Sequence, residues 1–197
     1  LQGVFNTDYS ILVQRTDNAP VAVVPQSKQN ILIETRGGTS DWLQAGGLTT
    51  TLEPFRASVL GFTGSVGVQT VQDYILSQLV VRLNSIFSGN GLNVVFSTNP
   101  AAFELEAFSR VFVTASNDPI SIFTQQNFGY SEHSDPFKAD RNDEAVVFLP
   151  SLGQLGFSAG QADIDDFVLS LTGAVGRRAG ELMGLRIEAN QSAAANP

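Results

Sequence analysis

The strongest pattern of apolar positions along the chain lies in residues 163–188. Apolar side chains recur there at steps of three or four residues, which places them on one face of a helix. These residues are Ile164, Val168, Leu171, Val175, Ala179 and Leu182. Asp163 can cap the amino terminus, and Asp165 and Asp166 follow in the first turn, where the helix dipole favours negative charge. The pattern therefore predicts one long helix over residues 163–188.

Glycines also recur in this predicted helix at steps of three or four residues. They are Gly173, Gly176, Gly180 and Gly184. Each glycine in a helix interior costs about 0.8–1 kcal/mol relative to alanine, so a compensating contact is expected. Close approach of another backbone along this face would supply that contact. The alternative is a helix that breaks near Gly173 or Gly176.

A second apolar stripe predicts a helix over residues 70–87, with Asp73 in its first turn and the glycines at 89 and 91 as its stop. Shorter apolar runs predict strands at 31–35, 92–97, 110–115 and 145–149, of which the first is expected to be buried on both faces and the last is stopped by Pro150. Residues 36–69 are expected to form a long irregular connection, and residues 128–142 a polar loop. The order of these elements indicates an α/β (α+β) fold.

Changes in composition predict three segments. Residues 1–29 form an N-terminal extension, in which apolar runs at 9–13 and 21–24 predict a hairpin packed on the domain. Residues 30–188 form the main domain. Residues 189–197 are rich in alanine, serine and asparagine and form a flexible tail.

Composition narrows the possible functions. Hydrophobic residues make up 43% of the 197-residue chain and charged residues 15%, which indicates a globular protein. The net charge of −8 argues against nucleic acid and anionic membrane surfaces as partners. The absence of cysteine excludes disulfides, thiolate nucleophiles and cysteine metal ligands, and no apolar run reaches transmembrane length.

Residues 177–187 read Arg-Arg-Ala-Gly-Glu-Leu-Met-Gly-Leu-Arg-Ile. The segment resembles the active-site helix of metzincin-type zinc proteases of the secreted bacterial type, whose motif is His-Glu-x-x-His-x-x-Gly-x-x-His. In that motif the histidines bind zinc and the glutamate is the general base. The positions that carry no chemistry match, and they are Ala179, Gly180, Leu182, Gly184, Leu185 and Arg186.

The chemical positions of the motif are replaced. Arg177 and Glu181 stand at the first and second histidines, Arg178 stands at the general base, and Ile187 stands at the third histidine. Arginine stays protonated and isoleucine has no donor atom, so neither can bind zinc. Glu181 is expected to pair with Arg177 or Arg178 at helical spacing. The resemblance implies a degenerate site without catalytic residues or zinc, and the alternative is a chance match on a charged helix face.

The resemblance extends over residues 30–187. The order of elements resembles the metzincin N-terminal subdomain, which is a twisted mixed sheet backed by two main helices. Residues 138–148 resemble the loop and edge strand of the secreted bacterial members, where the edge strand lines the substrate cleft. The residues after Ile187 are too few for the family's C-terminal subdomain. The resemblance also implies an extracytoplasmic location, secreted or at the cell surface.

The remaining candidate chemistry lies in the acidic stretch before the strand at 145–149. His133 is the only histidine, so a histidine-rich zinc site is excluded. Oxygen ligands for calcium are present, although their spacing matches no EF-hand loop and a solvated acidic loop is the alternative. The calcium candidates are Asp135, Asp140, Asn142 and Asp143. The sequence contains no nucleophile elbow and no phosphate-binding loop.

The expected function is that of a catalytically inactive, metalloprotease-like domain of an exported bacterial protein, without a cofactor. It would bind an unknown protein or peptide along the old cleft, where an edge strand can accept an added strand. This hypothesis predicts an open groove beside the strand at 145–149. The alternatives are a hydrolase that uses a non-zinc or carboxylate-bound metal, and a purely structural module.

Overall fold

The computed structural model describes residues 12–13, 28–48, 51–103, 106–117, 128–132, 142–157, 161–185 and 187–188. The strands are β1 (Leu12–Val13), β2 (Gln29–Glu34), β3 (Gly38–Thr39), β4 (Thr51–Leu52), β5 (Ser65–Val66), β6 (Gln69–Thr70), β7 (Val94–Ser97), β8 (Ser109–Thr114), β9 (Gly129–Ser131), β10 (Glu144–Phe148) and β11 (Ile187–Glu188). The helices are α1 (Asp41–Ala45), α2 (Val71–Gly89), α3 (Leu149–Gly153) and α4 (Gln161–Leu182).

The centre of the fold is a five-stranded mixed sheet with the strand order β7-β2-β8-β10-β9. The first four strands of this order are parallel to one another, and β9 runs antiparallel to β10. Every residue of β2 and of β10 is buried. Burial on both faces explains why both strands appear in the sequence as apolar runs without alternation. The predicted α/β class is confirmed.

The two long helices pack on one face of this sheet and form the main core with it. The side-chain oxygen of Thr70 caps α2 by accepting the amide of Asp73 at 3.1 Å. The hydroxyl of Tyr74 on α2 donates to Asp165 on α4 at 2.9 Å, which joins the two helices above the sheet. The stripe predicted for α4 is buried throughout. The buried residues of α2 are Val71, Ile75, Leu79, Leu83 and Phe87.

The opposite face of the sheet is covered in part by α1 and the strands beside it. Leu43 of α1 packs there against Phe112 and Val146 in a second, smaller core. The hydroxyl of Ser40 accepts the amide of Leu43 at 3.3 Å and donates to the buried Glu144 at 2.7 Å. Residues 36–69 are therefore not one irregular connection. They contain α1, the antiparallel pairs β3–β4 and β5–β6, and a 3-10 turn at Ala57–Leu60.

Helix α4 ends at Leu182 and not at residue 188. Gly184 has a φ of 69°, in the left-handed region that favours glycine. The amide of Leu185 donates to the carbonyl of Gly180 at 2.8 Å, and the amide of Gly184 donates to that of Glu181 at 2.9 Å. This pair of bonds is the Schellman arrangement that closes helices. Beyond it, β11 pairs antiparallel with β1.

The other glycines of α4 leave the helix continuous, so the expected alternative of a break is not observed. Gly173 is exposed, and no atom lies within 4 Å of the position where a Cβ would be added. The predicted close approach of a second backbone is therefore wrong at Gly173. Gly176 and Gly180 are buried.

The edge of the sheet also differs from the prediction. The strand expected to lie at the edge, residues 145–149, corresponds to β10, which is an interior strand between β8 and β9. The edge strand is β9, inside the stretch 128–142 that was expected to be a loop. Pro150 does stop β10, but it does so as part of the first turn of α3. Of the predicted N-terminal hairpin only Leu12–Val13 are described, and the tail at 189–197 lies outside the described residues.

Candidate functional site

The candidate site is formed where the carboxyl-terminal end of α4 meets the edge strand β9. Glu181 is its centre and accepts three hydrogen bonds. Arg177 Nε donates to Glu181 Oε1 at 3.0 Å, and Arg178 Nη1 donates to Oε2 at 2.6 Å. The hydroxyl of Ser131 on β9 donates to the same Oε2 at 2.7 Å. The predicted pairing of Glu181 with the two arginines is therefore present, and Ser131 adds a tie to the sheet.

The two arginines differ in their exposure to solvent. The side chain of Arg178 is 11% exposed and that of Glu181 is 25% exposed, so this ion pair is largely removed from water. The side chain of Arg177 is 54% exposed. Screening by water makes exposed ion pairs weak, whereas a desolvated charge depends on its partner. Arg178 and Glu181 therefore form the part of the cluster that matters for stability.

The cluster shifts the pKa values of its own members. Burial raises the pKa of Glu181, but the hydrogen bond from Ser131, the charge of Arg178 and the hydrogen bonds from Arg177 and Arg178 outweigh it, so the pKa lies below its ordinary value. Burial lowers the pKa of the Arg178 guanidinium, and attraction to Glu181 opposes that shift. Glu181 is consequently an ionised carboxylate whose charge is matched by its neighbours at neutral pH.

The pairing of β9 with β10 explains why Ser131 reaches Glu181. Ser131 lies opposite Ala145 in the antiparallel register, and Ala145 belongs to the core on the helix side of the sheet. At the start of β9, a Cβ on Gly129 would overlap the carbonyl oxygen of Val146, so the close approach of these strands requires glycine. The contact between Ser131 and Glu181 joins residues that are 50 positions apart.

These residues do not fit a zinc site of the metzincin kind. Guanidinium groups carry no lone pair for a metal, and both oxygens of Glu181 already accept charge-assisted hydrogen bonds. Ile187, at the position of the third histidine, lies in β11 opposite Val13 and has no donor atom. The two guanidinium charges beside the single carboxylate would also repel a divalent cation.

The proposed calcium ligands are only partly within the described residues. His133, Asp135 and Asp140 lie outside them. Asn142 is exposed, whereas its neighbour Asp143 is 1% exposed. Within the described ranges there is no group of three or more histidine, cysteine or acidic residues that could hold a metal ion.

Sequence reasoning identified Arg177, Arg178 and Glu181 but missed Ser131. Helical spacing carries the signal for the first three residues, because positions three and four apart are neighbours on a helix. No local signal marks Ser131, since its role depends on the pairing of a short and rather polar strand at the sheet edge.

Comparison with known proteins gave no relative. No protein-family model, no curated protein and no solved structure matches the chain. Among the helices of the described ranges, none is long and apolar enough to cross a membrane.

Proposed function

We propose that this chain is a catalytically inactive, metzincin-like domain that binds an extended segment of a protein or peptide at its edge strand. The proposal rests on the hydrogen bonds that the carboxylate of Glu181 accepts. Its carboxylate, at the frame position of a zinc ligand, is held by two guanidinium groups and by Ser131. A metal at Glu181 would have to compete with these hydrogen bonds and with the two positive charges.

The architecture around this cluster supports the metzincin-like part of the proposal. The sheet is mixed, its edge strand precedes the long helix, and two long helices pack on one face. The segment with the metzincin frame lies at the end of α4 that contacts the edge strand. An exported location, with the protein secreted or attached to the cell surface, belongs to the same proposal.

The geometry of β9 supports the binding role. The amide of Glu132, just after β9, donates to the carbonyl of Glu144 in β10 at 2.9 Å. Only alternate residues of an antiparallel strand bond to a given partner, so the backbone groups of Ser131, which is half-buried, point away from β10. Gly129 has the same orientation but is buried, so Ser131 is the accessible position. Within the described residues no strand lies on that outer side of β9. An added extended segment would pair there.

Metal analysis tests the loss of catalysis. We expect no stoichiometric zinc in the native protein purified without chelators, and no saturable zinc binding in a calorimetric titration. The revertant Arg177→His, Arg178→Glu, Glu181→His, Ile187→His should gain zinc affinity, and the same revertant with alanine at position 181 should lose that gain. Stoichiometric zinc or another tightly bound metal in the native protein would refute the proposal and favour the hydrolase alternative.

Substitutions at Ser131 test the binding role. Peptides selected from a random library should lose binding to Ser131→Pro, because proline has no outward amide to donate. The control Ser131→Ala removes only the hydroxyl and should keep most of the affinity. Failure to select any peptide, or equal binding to the proline variant, would show that β9 is not the docking strand and would favour the structural module.

A further inference from the structure

A cavity of about 620 Å³ opens on the sheet face opposite the two long helices. Its walls include the aromatic side chains of Trp42, from α1, and Phe108, just before β8. Its charged lining residues are Asp41, Arg110, Glu132 and Glu144. Glu144 shares its sheet face with Val146 of the smaller core, whereas the Glu181 cluster lies on the helix side. The cavity is therefore separate from the Glu181 cluster.

Glu144 is a fixed anion in this cavity. It is only 3% exposed, and three donors hold its carboxylate. Ser40 Oγ donates to Oε2 at 2.7 Å and the amide of Trp42 donates to the same oxygen at 3.4 Å. Arg110 Nη1 donates to Oε1 at 3.4 Å. The buried carboxylate thus anchors α1, and with it Trp42, to the start of β10.

Arg110 shows how the cavity accommodates a cationic group. Its guanidinium lies over the ring of Phe108, with the central carbon 5.5 Å from the ring centroid, and pairs with Glu144. A positive group between an aromatic face and a carboxylate gains both cation–π and ion-pair attraction. The guanidinium of Arg110 therefore occupies one position in the cavity where a cation is favoured.

The rest of the lining also combines an aromatic ring with carboxylates, but no described cation lies between them. Among the described residues that line the cavity, three are carboxylates and one is a guanidinium. Arg110 is already paired with Glu144, so the charges of Asp41 and Glu132 are not matched by a described lining residue. No ion pair within the described ranges involves either residue. The indole of Trp42 provides the aromatic wall beside them, and tryptophan is the best ring for cation–π contact.

We propose that this cavity binds an organic cation, an ammonium or guanidinium group on an aliphatic stem. The remaining negative charges and the net charge of −8 of the chain disfavour an anionic ligand. The described residues include no group of three or more histidine, cysteine or acidic side chains that could hold a metal ion, whereas an organic cation can contact separate carboxylates and a ring together. A lysine or arginine side chain of a peptide and a free small amine share this chemistry.

Trp42 makes the test direct because it is the only tryptophan in the chain. Its fluorescence should change saturably on titration with n-butylamine or argininamide, with sodium chloride at equal ionic strength as the control. Gly-Lys-Gly and Gly-Arg-Gly, blocked at both ends, provide the peptide arm. Tighter binding of the tripeptides would identify a peptide side chain as the ligand, and tighter binding of the free amines would identify a small amine. Absence of a saturable change in both arms would overturn the proposal.

Matched variants assign the signal to the cavity. The double variant Asp41→Asn, Glu132→Gln should weaken cation binding about tenfold, as expected from the loss of two partly screened ion pairs. Asp166→Asn changes the charge of an exposed residue on α4 and should leave affinity unchanged. The assignment of the fluorescence signal to the cavity would be refuted if Asp166→Asn weakened cation binding equally, or if the double variant did not weaken it. Urea midpoints of all variants should match, since the substituted side chains are exposed and the amide oxygen introduced at position 132 can still accept the amide of Glu144.

Discussion

The substitution Glu181→Gln is the sharpest test of the charge cluster. It keeps the shape of the side chain and one oxygen acceptor, but it removes the charge that faces Arg178. The guanidinium of Arg178 is 11% exposed, so water cannot replace the lost carboxylate. Hydrogen bonds to charged groups contribute about 1.5–3 kcal/mol. A glutamine oxygen at the Oε2 position still accepts from Ser131 and Arg178 in weaker form, whereas the amide nitrogen at the other position cannot accept from Arg177. We therefore expect a loss of about 2–3 kcal/mol in the free energy of unfolding.

Urea denaturation followed by circular dichroism measures this loss. With a slope of about 2–3 kcal/mol per molar urea, the midpoint should fall by roughly 1 M. Arg177→Gln is the matched control, because it breaks an ion pair with the same carboxylate from a side chain that is 54% exposed. This control should lower the free energy of unfolding by less than about 0.5 kcal/mol.

A double variant measures the interaction energy between Arg178 and Glu181 apart from their other contacts. Arg178→Gln combined with Glu181→Gln removes both desolvated charges, so its loss should be smaller than the sum of the single losses by at least about 1 kcal/mol. Additive losses would mean that Arg178 and Glu181 do not depend on each other. Equal losses for Glu181→Gln and Arg177→Gln would refute the reasoning from burial.

Three further predictions concern Gly173, Gly129 and the dependence of stability on pH. Gly173→Ala should stabilise the protein by about 0.8–1 kcal/mol in urea melts, because the added methyl enters open space on a helix. Gly129→Ala should destabilise it by about 1–3 kcal/mol through overlap with the Val146 carbonyl, and a neutral result would contradict the register of β9. Burial raises the pKa of Glu34 and Glu181, but hydrogen bonds and nearby arginines lower both below 4.5. Their stabilisation is thus complete above pH 4.5 and is lost as the pH falls through the lowered values, which acid titration of the urea midpoint will measure.

The sequence allowed the main helices and interior strands to be predicted because their signals are long and local. Helix α2 was predicted over residues 70–87 and spans Val71–Gly89, and β10 differs by one residue at each end. The end of α4 was missed because Leu185 and Ile187 continue the apolar pattern past Gly184. A glycine that follows the last turn is a stop signal, and it was counted as part of the helix instead.

The missing parts of the site are those that depend on pairing between distant segments. Strand β9 has only three residues, and it forms because β10 offers an edge. The pairing of β9 with β10 places Ser131 beside Glu181. No spacing within the sequence indicates this contact. The arginine pairs were predictable because the helix alone fixes their distance, at i to i+3 and i to i+4.

The two proposed sites can fail independently because peptide pairing uses the outward backbone of Ser131, whereas cation binding uses the side chains of Asp41 and Glu132. Alternate residues of β10 point to opposite faces, so Ala145 belongs to the core beside Ser131 and Glu181, whereas Glu144 faces the cavity beside Trp42. Ser131→Pro should therefore abolish peptide pairing without changing the Trp42 response to amines. The Asp41→Asn, Glu132→Gln variant should do the reverse. If one variant removes both activities, the peptide and the cation bind as one ligand that wraps the edge of β9, and the two sites must be treated as a single surface.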